Sequence, residues 1–162
     1  IIKHISEVVN KNKKNLIIKL HPFQEELDVT NFVKEINPDI KIIKSGDITP
    51  LIKNCSIFLT IDISTTILEA QFFSKPVISV SVKNYDWGTP AIFESNSCIR
   101  ANIDSFEKIF LDLQTNTNLQ TNMINHGSKF IDDYLSFQGN SSLELLKFLQ
   151  LSNDDRDEEQ VL

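Results

Sequence analysis

Two short stretches carry residue types that can do chemistry. His21-Pro22 ends the apolar run Leu16–Leu20, and Ser64, Thr65 and Thr66 follow the apolar run Ile57–Ile61. An imidazole titrates near about 6.5, so His21 can neutralise a phosphate as imidazolium or donate to one as a neutral ring. Ser64–Thr66 opens a helical pattern. A helix N-terminus presents unpaired N–H groups and roughly half a positive charge, and hydroxyls there add donors, which together suit a phosphate. Glu69, on the first turns of that helix, can accept from ribose or sugar hydroxyls. Plainer roles fit the same residues. His21 can be a strand-end histidine with one structural hydrogen bond. Ser64 or Thr66 can be an N-cap, with Glu69 closing a capping box on Thr66.

Other candidates are weaker. Asp62 can orient the Ser/Thr turn or form an Asx-turn of its own. Lys83, Tyr85, Asp86 and Trp87 sit in a polar loop after a later apolar run, where Trp87 can stack on a ring or pack against the sheet. His4 and His126 have no second ligand at useful spacing. No Ser/His/Asp set, Cys/His nucleophile pair or acidic metal cage is legible.

The elements that must position these residues alternate. Ile1, Ile2, Ile5, Val8 and Val9 predict an amphipathic helix, and Leu16–Leu20 a buried strand. Asp28 or Thr30 is expected to cap a helix through Ile36, ahead of a strand over Ile40–Lys44. Thr49-Pro50 predicts a short helix to Asn54 by cap plus proline at the first helical position. Ser56–Asp62 and Pro76–Val82 read as strands around a helix from Ser64 to about Phe73. Thr89-Pro90 opens a short helix to Glu94, and Cys98–Ala101 is a weak edge strand. Three helices follow. Asp104 with Glu107 resembles a capping box, Gly127 is expected to break or kink the helix over Asn118–Ser136, and Ser141 or Ser142 caps a last helix through Leu151. Strands alternating with helices imply an α/β, Rossmann-like doubly wound parallel sheet with right-handed crossovers, followed by C-terminal helices. In such sheets ligands bind beyond the carboxyl ends of the strands, so His21 and Ser64–Thr66 are expected to face one crevice.

Composition narrows the function classes. The 162 residues are 41% hydrophobic and 23% charged, enough for one ordinary domain over residues 1–152. Gly numbers only 4, which leaves no room for a P-loop or a dinucleotide fingerprint. The net charge of -6 owes much to the acidic stretch 153–162, read as a solvated, disordered tail. No basic stripe suggests nucleic acid, and no apolar run is of membrane-spanning length. Cys55 and Cys98 lack metal-ligand spacing and read as buried free thiols of a reducing compartment.

The order of motifs resembles a known family. Lys-Leu-His-Pro (19–22), Cys-Ser-Ile-Phe-Leu-Thr-Ile-Asp (55–62), Ser-Thr-Thr-Ile-Leu-Glu-Ala (64–70) and Ser-Lys-Pro-Val-Ile (74–78) are similar to the C-terminal half of GT-B glycosyltransferases. The likeness is to bacterial sialyl- and polysialyltransferases with HP and Ser/Thr motifs, and to CDP-glycerol glycerophosphotransferases. It covers roughly Leu16–Ser142. Ser74 stands where such domains usually have Gly, which puts a tight turn in question.

The resemblance implies the donor-binding half of a transferase of surface polysaccharide synthesis, with a nucleotide-activated sugar, cytidine type favoured, as substrate rather than cofactor. It implies His21 as the catalytic contact to the departing phosphate. Pro22, Ser64, Thr65, Thr66 and Glu69 would complete the donor site, with no metal. A glycan or lipid-linked acceptor would be held by an absent N-terminal half. The expected location is the cytoplasm, or the inner membrane face as a peripheral protein. The resemblance also implies a fragment: the first central strand is missing, so the sheet is expected to close up or leave a gap between Leu16–Leu20 and Ile57–Ile61. Two alternatives stand beside this reading. One is a UDP-N-acetylglucosamine 2-epimerase-like enzyme. The other is a non-catalytic α/β interaction module.

Overall fold

The computed structural model describes residues 1–21, 23, 26–82, 89–135, 137 and 139–158, and only the backbone at 26–28 and 151–158. The chain divides into two compact units, Ile1–Phe130 and Ile131–Leu162.

The first unit alternates helix and strand: α1 (Ile2–Lys11), β1 (Ile17–Lys19), α2 (Glu26–Ile36), β2 (Lys41–Ile43), α3 (Thr49–Asn54), β3 (Phe58–Ile61), α4 (Thr66–Phe72), β4 (Val77–Val80), α5 (Ala91–Glu94), β5 (Ile99–Ala101) and α6 (Ile103–Thr115). Helix α7 (Thr117–Tyr134) carries the chain into the second unit, which holds α8 (Ser141–Glu158).

All strand pairs are parallel, as the alternation of helix and strand requires. β4 lies between β3 and β5, and its four residues are all buried. Its side chains alternate between two cores because successive residues in a strand point to opposite faces. Ile78 and Val80 join Ile5, Val8, Val9, Phe106, Phe110 and Leu113 on the face covered by α1 and α6. Val77 joins Ile52, Ile67 and Ala70 on the face covered by α3 and α4. A third cluster, Leu20, Val29, Val33 and Ile40, seats α2 on β1 and β2. The architecture is therefore α/β and Rossmann-like, with helices after the sheet.

The strands do not form one sheet. β1 pairs with β2, and β3–β4–β5 form a separate three-stranded sheet. Of the two expected outcomes, closure or a gap between the first and third strands, the gap is found.

Several helix ends differ from the local sequence reading. α2 begins at Glu26, so Asp28 and Thr30 both lie inside it. Thr49 is the first helical residue of α3, and its N–H is taken by Asp47 Oδ1 at 2.9 Å. The cap of α6 is Asn102 with Ser105, not Asp104 with Glu107. Glu107 instead meets Lys11 at 2.7 Å, which ties α6 to α1. Gly127 does not interrupt α7. It is buried against Gln71, and a Cβ there would stand 3.2 Å from Gln71 Cγ. Close approach, rather than a kink, explains the glycine.

Candidate functional site

The candidate residues follow the C-terminal ends of β1 and β3, where parallel strands stop and their last backbone groups open outward. Leu20 is buried, and its N–H still reaches the Ile43 carbonyl at 2.9 Å. His21 is the next residue and is exposed. Its Nδ1 accepts the Phe23 N–H at 3.3 Å, and the two rings lie 5.4 Å apart at 40°. A backbone N–H can only donate, so the neutral ring must carry its proton on Nε2. His21 therefore presents Nε2–H outward as a donor. Protonating Nδ1 would break the contact to Phe23. Pro22 and the loop residues Lys83, Tyr85, Asp86 and Trp87 lie outside the described residues.

Ser64 and Thr66 are brought together, with Oγ and Oγ1 2.8 Å apart. Ser64 Oγ also accepts the Thr66 N–H at 3.3 Å. The N–H groups of Ile67 and Leu68 go to the carbonyls of Ser64 and Thr65, at 3.1 and 3.0 Å. The first turn of α4 has thus satisfied three of its own N–H groups, and hydroxyls remain as its outward donors. One proton of the Ser64–Thr66 pair is engaged between the two oxygens, which leaves the second free to point elsewhere. Thr65 is exposed and caps α4 without a side-chain hydrogen bond. No capping box forms between Thr66 and Glu69. Glu69 is exposed in the first turn of α4, next to the hydroxyls along the helix.

Among the described residues Asp62 makes no hydrogen bond to Ser64, Thr65 or Thr66 and forms no Asx-turn; it acts on the strand end instead. Its Oδ1 accepts the Val82 N–H at 2.8 Å, its carbonyl accepts the Ser79 hydroxyl at 2.9 Å, and its N–H reaches Val80 at 3.0 Å. The residue sits at φ 54, a left-handed conformation that Asp tolerates better than most residues. These bonds clamp the end of β3 to the end of β4 and fix where Ser64–Thr66 starts.

A cavity of about 580 Å³ opens at these strand ends, lined by Ile1, Ile2 and Lys3 of α1, Val29 and Phe32 of α2, Ile61 of β3, and Val82. Helix α2 follows β1 in the chain, and α1, α2 and the end of β3 border this opening. His21, Ser64, Thr65, Thr66 and Glu69 are not among its lining residues. Among the described residues no hydrogen bond links His21 to Ser64–Thr66 or Glu69.

Arg100 was not a sequence candidate. It lies in β5, donates through Nε to Ser81 Oγ at 2.6 Å just past the end of β4, and stacks 5.7 Å over the Phe93 ring. The chain has only two arginines, and this is the one inside a strand pattern; a guanidinium in an otherwise apolar short strand was the available signal.

Among the described residues, no group of three or more His, Cys, Asp or Glu is placed to hold a metal. No helix there is long and apolar enough to cross a membrane. Cys55 and Cys98 are free thiols, Cys98 buried and Cys55 partly so. Burial pushes the Cys98 thiol up to about 12. It raises Cys55 as well, with Lys75 working against it.

Two solved structures share the arrangement. One is WaaG, a glycosyltransferase involved in lipopolysaccharide biosynthesis. It matches over 83% of this chain at TM-score 0.61 and 11% identity. The other is the GtfA/B complex, matched over 96% of this chain at TM-score 0.62 and 15% identity. The fold is glycosyltransferase-like. The chain spans 38% of the length of the first of these proteins and 33% of the second. At such identity the likeness carries architecture and not substrate. No family model and no curated protein matches the sequence.

Proposed function

We propose that the chain is the donor-binding half of a glycosyltransferase or glycerophosphotransferase of surface polysaccharide synthesis, and that it holds a nucleotide-activated sugar of the cytidine type. The observation that supports this most is the glycosyltransferase-like fold combined with donor side chains just past the ends of β1 and β3. Parallel α/β sheets bind ligands at that end of the strands.

In this reading His21 is the catalytic contact. Its Nε2–H faces outward because Phe23 occupies Nδ1, and it donates to the phosphate that leaves with the nucleotide. Thr65 and the paired hydroxyls of Ser64 and Thr66 donate to the same phosphate. Glu69 accepts from ribose or sugar hydroxyls, and Pro22 holds His21 at its strand end. Donors already aimed at where charge collects favour the departing nucleotide without reorganising. No metal or further cofactor takes part. The acceptor, a glycan or lipid-linked saccharide, is held elsewhere and is activated by a carboxylate this chain does not supply. Such an enzyme works in the cytoplasm or peripherally at the inner membrane face.

Calorimetric titration with CMP, CDP and UDP tests the proposal. The reading expects CMP and CDP to bind more tightly than UDP, with affinity reduced in His21→Ala and Thr65→Ala. A folded chain that binds none of the three refutes it.

A further inference from the structure

Phe23 is the most exposed large apolar side chain among the described residues, at 90%, against 59% for Phe72 and 66% for Phe148. Among those residues it joins none of the three core clusters. It lies between β1 and α2, two residues past His21. A phenyl left in water forgoes the burial that Phe106 and Phe110 obtain in the core. Single exposed apolar residues are common on protein surfaces, so exposure alone decides nothing. What distinguishes Phe23 is how it is held, and beside what.

The Phe23 main chain is fastened to His21, since its N–H donates to Nδ1 at 3.3 Å. The phenyl ring lies 5.4 Å from the imidazole, tilted by 40°. With one side near the imidazole and the rest in solvent, it keeps a broad face open. A ring held at its backbone costs less to immobilise on binding than a free one. The phenyl has no donor or acceptor, so its natural partner is a flat, polarisable face. A ribose presents hydroxyls around a puckered ring. A nucleobase presents a whole π-face and keeps its polar edge for other groups. One ribose separates base from phosphate, and 5.4 Å separates the two rings, so one nucleotide can reach both.

We propose that Phe23 is the base platform of the donor site, and that its open face stacks on the pyrimidine of the nucleotide whose phosphate His21 holds. The role rests on the donor-site reading of His21 and adds a second contact to it. Every base has a π-face, so stacking supplies affinity without choosing between cytosine and uracil. That choice falls to hydrogen bonds at the base edge.

NMR titration of the 162-residue chain with CMP, UMP and ribose 5-phosphate tests this. The Phe23 N–H belongs to the main chain, so side-chain variants keep the bond to His21 Nδ1 and probe the ring alone. Phe23→Ala and Phe23→Leu should each weaken CMP and UMP by about tenfold. Ribose 5-phosphate, which has no base, should bind both variants as it binds the wild type. Phe23→Trp should restore CMP affinity. Cytosine H5 and H6 should move upfield on the wild type, under the phenyl ring current, and not on Phe23→Leu. If the wild type binds CMP and Phe23→Ala or Phe23→Leu binds it equally well, the stacking role is overturned and the donor site stands. Equal weakening of ribose 5-phosphate also overturns it, because the ring would then be supporting the phosphate contact. A wild type that binds none of the three refutes the donor site itself, and the stacking role with it.

Discussion

Asp62 Oδ1 holds the Val82 N–H at 2.8 Å while Asp62 itself sits at φ 54. One side chain thereby closes the end of β3 onto the end of β4 and sets the departure of the chain into Ser64–Thr66. Asp62→Ala removes the acceptor and leaves a Cβ residue without local support in the left-handed region. We expect a loss of about 1–2 kcal/mol in denaturant unfolding. Asp62→Asn keeps an acceptor and a residue tolerant of that conformation, and should lose less than Ala.

Gly127 and Gln71 form a coupled pair. Gln71 is buried, and its Nε2 donates to Ser97 Oγ at 2.8 Å and to the Ser97 carbonyl at 3.3 Å, so it cannot easily swing away from a new Cβ. Gly127→Ala should therefore destabilise despite the better helix propensity of alanine. In a Gln71→Ala background the same change meets space, and the propensity gain of up to about 1 kcal/mol should emerge. A double-mutant cycle by chemical denaturation reads the sign reversal.

The two thiols should differ in reactivity. Cys98 is 2% exposed, with its thiol pushed up to about 12, so almost no thiolate exists at pH 8. Cys55 is only partly buried. Iodoacetamide followed by peptide mass analysis should modify Cys55 in the native protein and Cys98 only after denaturant is added. Equal labelling under native conditions would contradict the burial of Cys98 among Ile52, Ile67, Ala70 and Val77.

Asp47 caps α3 from two residues before its first helical residue, and the hydrogen bond from the Thr49 N–H holds its carboxyl below the ordinary value of 3.8. A depressed carboxyl stabilises the fold above its unfolded pKa and loses that effect as pH falls through the folded value. Acid titration should therefore weaken α3 below about pH 3.8 in the wild type. Asp47→Asn, read by unfolding at each pH, should flatten that part of the profile.

Much of the architecture was legible because it rests on patterns with one physical meaning. Runs dominated by Val, Ile and Leu and bounded by polar turns marked β1, β3 and β4, and 3.6-residue spacing marked α1 and α6. Helix ends were less legible. Asp104–Glu107 has the spacing of a capping box, yet Asn102 and Ser105 form the box and Glu107 pairs with Lys11, a partner 96 residues away. Local spacing cannot register a competitor that distant. Gly127 carried the same ambiguity, since a kink and a tight contact with Gln71 call for the same residue. At the site, the residue types at His21 and Ser64–Thr66 were readable. What was not readable was that Phe23 would orient the imidazole, that α4 would satisfy its own first N–H groups, and that Asp62 would serve β4.

In the proposed function the ends of β1 and β3 act as one phosphate crevice. Titration of isotope-labelled protein with CMP, followed by NMR, tests it most directly. The His21 side-chain resonances and the amides of Ser64, Thr65 and Thr66 should shift together along one binding isotherm. Folded protein in which only one of these groups responds, or neither does, would contradict it.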